Sequence, residues 1–198
     1  MTLRNTAERW GAVSQAFHWI SVLLIVTIAG IGLTMEELPM SPQKIRIYAL
    51  HKSLGLTLLA IVLLRLAWRA YAGASPPVPG MPRWQRIAAD ASHWGLYALM
   101  LAMPMTGWWL NSAAGFPLQW FGLFNLPGIA AADEARHALA TNLHVTGFWL
   151  LVLLVCVHAG AALFHHLVQR DITLLRMLPG RRARAATRSI TLETPDAP

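Results

Sequence analysis

A chain of 198 residues that is 56% hydrophobic, with a mean hydropathy of +0.46, is too apolar for an ordinary water-soluble domain and suits one membrane bundle. The formal net charge of +7 does not point to nucleic acid, because most basic residues flank apolar spans or lie in the C-terminal tail, where membrane topology accounts for them. A lone cysteine, Cys156, excludes an internal disulfide, and no CxxCH sequence is present to tether a haem covalently.

Met1 to Ser14 is polar and carries Arg4 and Arg9; about residues 15–35 then form a first apolar span with His18 near its start. The competing reading is a cleaved signal peptide, but the segment is long, lacks an A-x-A site after the apolar run, and would take His18 with it. Glu36 to Leu50 contains the helix breakers Pro39 and Pro42 together with Lys44 and Arg46, and reads as a short surface connector. A second span, about residues 52–71, begins beside His51. Arg65 follows His51 by fourteen positions, so it lies on the same helix face at another depth. It either snorkels, as Arg69 does one turn on, or pairs with a carboxylate such as a haem propionate.

Gly73 to Pro82 (GASPPVPGMP) cannot continue a helix and is the clearest linker in the chain. The third span, about residues 91–110, has His93 at its start, Pro104 predicting a kink, and Trp108 and Trp109 at its far interface. Asn111 to Ala132 is apolar but broken by Gly115, Pro117, Gly122, Pro127 and Gly128, and reads as an interfacial loop covering a cofactor rather than as a fifth span. Asp133 to Thr141 leads as helix into the fourth span, about residues 143–168. Between His144 and His166 there is no formal charge, and a titratable side chain inside such a run is expensive enough to suggest function. A basic exit follows Gln169. The domain is expected to end near residue 178, and residues 179–198 read as a basic, disordered tail.

These elements predict an all-α, integral-membrane four-helix bundle. Placing the N-terminus, the Gly73 linker and the tail on one side collects twelve of the sixteen Lys and Arg there, leaving Lys44, Arg46, Lys52 and Arg136 opposite, so the positive-inside rule puts both termini in the cytoplasm. His144 and His158 stand fourteen residues apart, within about 40° on one face and roughly 21 Å apart along the axis. With the topology above, His18 and His158 meet at the cytoplasmic level, and His51 and His144 at the outer level. Two imidazole pairs at two depths suit two bis-His b haems, their iron bound by one ring nitrogen while the other donates a hydrogen bond. Eight histidines also admit zinc or copper transport, but transport sites set their ligands close together with carboxylates, and no Asp or Glu lies within the spans.

FHW at Phe17–Trp19, LHKSLG at Leu50–Gly55 and HHLVQRDITLLRMLPGR at His165–Arg181 resemble the bacterial cytochrome b561 family of small dihaem inner-membrane proteins, over about Gln15 to Pro179. The resemblance implies a four-helix bundle in which His18, His51, His144 and His158 match the ligating positions. It also implies electron transfer involving ubiquinone, with superoxide as a periplasmic-side donor. His93, His165 and His166 share the cytoplasmic level and are either an interfacial belt in contact with lipid phosphates or a quinone site; His137 belongs to the outer surface. An anchor subunit for a periplasmic dehydrogenase is the alternative within electron transfer. Membrane lipid is the surrounding partner, and a homodimer is an allowed assembly. In charge terms, Lys44, Arg46, Lys52 and Arg136 either steer a small anion towards the outer haem or bind lipid headgroups.

Overall fold

The computed structural model describes residues 3–6, 8–78 and 80–179. Four long helices carry the chain: α1 (Ala12–Met35), α2 (Pro42–Ala72), α3 (Arg83–Ala113) and α4 (Glu134–Phe164). A two-stranded antiparallel hairpin, β1 (Leu118–Trp120) and β2 (Phe124–Leu126), interrupts the α3–α4 connection, and a π-helical turn, His165–Gln169, closes α4. All but the first residue of the expected tail lies outside the described residues.

The helix starts explain where the expected boundaries move. Pro42 is not a breaker here but an early helical residue, where its fixed φ and missing N–H cost nothing, and the Ser41 hydroxyl accepts the Lys44 N–H at 3.2 Å as an N-cap. The connector is therefore only residues 36–41, and the helix starts ahead of His51. The same correction applies to α3, which begins at Arg83 and runs to Ala113, beyond the expected span at both ends. Asp133 caps α4 through the Arg136 N–H at 2.8 Å, with Glu134 favourable in the first turn, so the expected helical lead is present. At the other end of α2, Gly73 takes a positive φ of 72° and its N–H closes on the Arg69 carbonyl.

Within the expected interfacial loop, the sequence turns back on itself at Trp120–Leu123. Both central residues have positive φ, Phe121 at 49° and Gly122 at 72°, as the type I′ hairpin turn requires. The Leu123 N–H closes the turn on the Trp120 carbonyl at 2.9 Å.

α1, α2 and α4 with its closing turn are long and apolar enough to cross a membrane, and their large apolar side chains, Leu23, Val26, Leu63 and Leu153 among them, point outward to lipid. α3 is less apolar, since its first turns carry Arg83, Arg86 and Asp90, and it packs between α2 and α4. The core is a thin layer of Leu58, Val62, Tyr97, Met100 and Leu151. Leu151 stands midway between His144 and His158, so this layer separates two histidine levels.

At one end of the bundle the N-terminal segment, the Gly73 linker and the exit from α4 are knitted together. Asn5 donates to the Gly73 carbonyl at 2.7 Å, the Trp10 N–H and Gln15 Nε2 both reach the Arg176 carbonyl, and Trp19 Nε1 donates to the Met177 carbonyl at 3.0 Å. The hairpin marks the opposite end.

Candidate cofactor site

At the termini end, His18 on α1 faces His158 on α4 with ring centroids 6.4 Å apart. At the hairpin end, His51 on α2 faces His144 on α4, again at 6.4 Å. With a metal–nitrogen bond of about 2.0 Å and an imidazole radius of about 1.2 Å, two imidazoles on opposite sides of one iron stand about 6.4 Å apart. Both pairs fit that spacing. The backbones agree with it: α1 packs on α2, α2 on α3 and α3 on α4, whereas neither α1 nor α2 approaches α4 as closely. Each imidazole pair thus bridges helices that stand apart, where a flat group has room.

Glycines make space for the rings at the hairpin end. A Cβ at Gly32 would lie 3.2 Å from His51 Cε1, and one at Gly107 would lie 3.3 Å from His144 Cε1. Two different helices, α1 and α3, thus drop a side chain where an imidazole lies against them.

The proton on His144 can be placed. The Thr106 hydroxyl donates its single hydrogen to the Met103 carbonyl at 2.9 Å, and its oxygen lies 3.0 Å from His144 Nδ1. Towards the ring it therefore accepts, Nδ1 carries the proton, and Nε2 keeps a lone pair free for a metal. His51 Nδ1 is buried without a hydrogen-bond partner, and the Ile28 carbonyl is near enough to act on the ring electrostatically.

The termini end differs. Arg65 lies 3.4 Å from His18 Nδ1, with its guanidinium 5.2 Å from the centre of the buried Tyr97 ring. Arginine only donates, so in this arrangement Nδ1 accepts. Ligation through Nε2 needs the ring proton on Nδ1 instead, and Arg65 turned to an anion. His93, expected among His165 and His166, has its ring contact with His158 at 5.3 Å. That is too close to place an iron between them and is an edge contact.

His165 Nδ1 lies 2.5 Å from Asp171 Oδ2, just where α4 loosens into its π turn. Burial alone would raise the Asp171 carboxyl, but the nearby Thr173 hydroxyl, the hydrogen bond from the Thr173 N–H at 2.8 Å and then His165 outweigh it and hold the group below the usual carboxylate range. His166 is half-buried beside it. At the hairpin end Lys44 donates to the Glu36 and Leu38 carbonyls, and Lys52 to Asn111 Oδ1 at 3.0 Å. Arg46 lines a cavity of about 220 Å³ with Ser53, Gln119 and Phe121. The four cations of this end, Lys44, Arg46, Lys52 and Arg136, are matched in number by Glu36, Glu37, Asp133 and Glu134, so it carries no net formal charge.

Thr106, Gly32 and Gly107 escape a reading by residue type, because none is a metal-ligating kind of side chain, and Asp171 escapes it because it lies beyond the apolar span; only the helical offset of the two glycines from the facing histidines would have singled them out. Among the described residues no group of three or more His, Cys, Asp or Glu is arranged to hold a bare metal ion, so the transport reading finds no site there. Paired imidazoles bridging the seams of an apolar helical bundle define the class: a membrane-embedded b-type cytochrome working in electron transfer. Residues 9–180 match the prokaryotic cytochrome b561 family, and the chain belongs to it.

Two relatives from Escherichia coli strain K12 are similar over nearly their whole length. Cytochrome b561 homolog 2 is 35% identical over 185 residues, 90% of this chain and 95% of its own. Cytochrome b561 homolog 1 is 33% identical over 180 residues, 88% and 99%. A protein of Yersinia pestis named probable superoxide oxidase CybB is 28% identical over 178 residues, 88% and 98%. The family places this multi-pass chain in the bacterial inner membrane.

Proposed function

We propose that this cytochrome carries single electrons from a periplasmic donor at the hairpin end to ubiquinone at the cytoplasmic, termini end, through two b haems held by His51 with His144 and by His18 with His158. The observation that carries the reading is the pair of 6.4 Å imidazole separations, one at each depth. Haem, when bound, supplies the reversible one-electron couple that no side chain here offers.

The chain's own residues do the rest. Thr106 fixes the His144 tautomer. Arg65 would pair with a haem propionate in place of His18 Nδ1, which would leave that nitrogen free to carry its proton. His165, its Nδ1 held by Asp171, and His166 beside it form the quinone site, with His165 Nε2 as the proton-transfer atom. Two electrons and two protons convert one ubiquinone to ubiquinol, and two superoxide ions supply the electrons as they become two dioxygen molecules. The name of the Yersinia relative supports superoxide as the donor. The test is spectroscopic: purified protein should show a b-type visible spectrum with about two acid-extractable haems per chain, reducible by superoxide. One haem with all four histidines intact would refute the two-level arrangement. Failure of superoxide to reduce either haem would shift the donor to a dehydrogenase partner.

A further inference from the structure

The hairpin end presents an apolar surface that the haem arrangement does not use. From Phe116 to Ile129 the chain contains no Asp, Glu, Lys, Arg or His, over fourteen consecutive residues. Phe116, Phe121, Leu123, Phe124 and Ile129 are all exposed, Leu123 by 73% and Phe116 by 67%. Such a surface is out of place in water.

Its position along α2 says what covers it. The Phe121 N–H donates to Ser53 Oγ at 3.0 Å, and Trp120 Nε1 donates to Thr57 Oγ1 at 3.1 Å. Ser53 and Thr57 come after His51 on a helix that runs from the hairpin end towards the termini end, so these two bonds hold the hairpin beside the apolar stretch of α2 and not above it. The open side of the hairpin is then continuous with the lipid-facing surface of the helices. The backbone turn adds an independent sign. A type I′ turn favours Asn or Gly at its first central position, yet Phe121 stands there at φ 49°, a conformation that costs an L side chain energy and sets an aromatic ring at the tip.

We propose that the β1–β2 hairpin is an interfacial membrane finger, with Phe121, Leu123 and Phe124 seated at the boundary between headgroups and acyl chains of the adjacent leaflet. At that depth aromatic rings are favoured, water still reaches the outer edges of two very short strands, and no charge has to be desolvated. The Trp120 N–H, which would otherwise need a partner, already has Thr57. Docked in this way, the finger borders the cavity between Arg46, Ser53 and Gln119, and the leaflet shares in holding it against α2. The placement does not depend on which ligands the histidines hold.

The experiment uses the full-length, haem-loaded chain with Cys156→Ala, in phosphatidylcholine–phosphatidylglycerol nanodiscs. Nitroxide labels are attached singly at Leu123→Cys, Phe124→Cys and, as an aqueous control, Gln43→Cys. Collision with dissolved oxygen relative to a water-soluble nickel chelate should be several-fold higher at positions 123 and 124 than at 43, and should fall to the control value when the protein is moved into a short-chain amphipol. A chelate accessibility equal to the control in nanodiscs would overturn the proposal. So would labels shielded from both probes, which would mean that protein covers the finger, or spin–spin broadening that disappears on dilution with unlabelled chain, which would mean that a second copy does. Two independent label sites on the finger keep the result readable if one substitution disturbs the turn.

Discussion

Thr106→Val tests the tautomer argument with a change that keeps the side chain's shape and removes its oxygen. His144 Nδ1 then loses the acceptor 3.0 Å away. A buried donor left unsatisfied costs about 1–3 kcal/mol, or roughly 5- to 150-fold in an equilibrium constant. Loss of a hydrogen bond to a ligating histidine typically weakens metal affinity about 10- to 100-fold. The Met103 carbonyl interacts with the same ring, and Thr106 is only part-buried, so partial compensation keeps the expected loss near tenfold. The assay is titration of apo-protein with hemin, reading the two haems separately by potential or spectrum, so that the termini-end haem serves as an internal control. Thr106→Ser restores the acceptor and should behave as the parent. Equal weakening of both haems, or no weakening in the valine variant, would refute the reasoning.

Three further outcomes follow from the same geometry. His18→Ala or His158→Ala should remove only the termini-end haem and His51→Ala or His144→Ala only the other, as judged by redox titration; loss of a haem in His93→Ala but not in His18→Ala would overturn the pairing. Gly107→Ala puts a methyl group 3.3 Å from His144 Cε1, so hairpin-end haem affinity should fall and thermal stability should drop by roughly 1 kcal/mol. Gly30→Ala, with nothing within 4 Å, should be neutral or slightly stabilising in the same melts. Because the folded state holds Asp171 below its ordinary value of 3.8, its contribution is fully present above that pH and is lost as pH falls through the lower folded value. Asp171→Asn should lower the melting temperature near neutrality, where that contribution is fully present, and flatten the acid limb below about pH 4, so that the two profiles converge as pH falls.

The spans and the two depths are legible in the sequence because they rest on one-dimensional quantities. A fourteen-residue interval places His144 and His158 on one face whatever surrounds them, and a run without charge is apolar wherever it sits. The misplaced boundaries have a different origin. Pro42 carries opposite meanings at the start and in the interior of a helix, and only the Ser41 cap decides between them. The depth of His93 follows from topology, but its contact with His158 depends on the rotation of α3 about its own axis, which a short apolar helix pattern does not settle. Likewise nothing in the residue type of Thr106 or Gly107 marks them, since their importance comes from lying opposite a histidine on another helix. The hairpin escapes for the reason that makes it unusual: its apolar residues follow no strand alternation, and the turn places a phenylalanine where Asn or Gly is the usual signal.

The interval between the two histidine levels on α4 also has an electrical meaning. Fourteen helical residues rise about 21 Å, against about 30 Å of hydrocarbon, so a charge passed from one level to the other crosses about 70% of the membrane's voltage drop. That is worth about 1.6 kcal/mol for each 100 mV, or roughly fifteenfold in the distribution of the electron between the levels. In the proposed orientation, with the termini in the cytoplasm, an electron moving inward would climb against an interior that is already negative. On the proposed route, an energised membrane would hold the electron at the outer level and a depolarised one would release it inward, and the traffic through this bundle would answer to the cell's own proton-motive state.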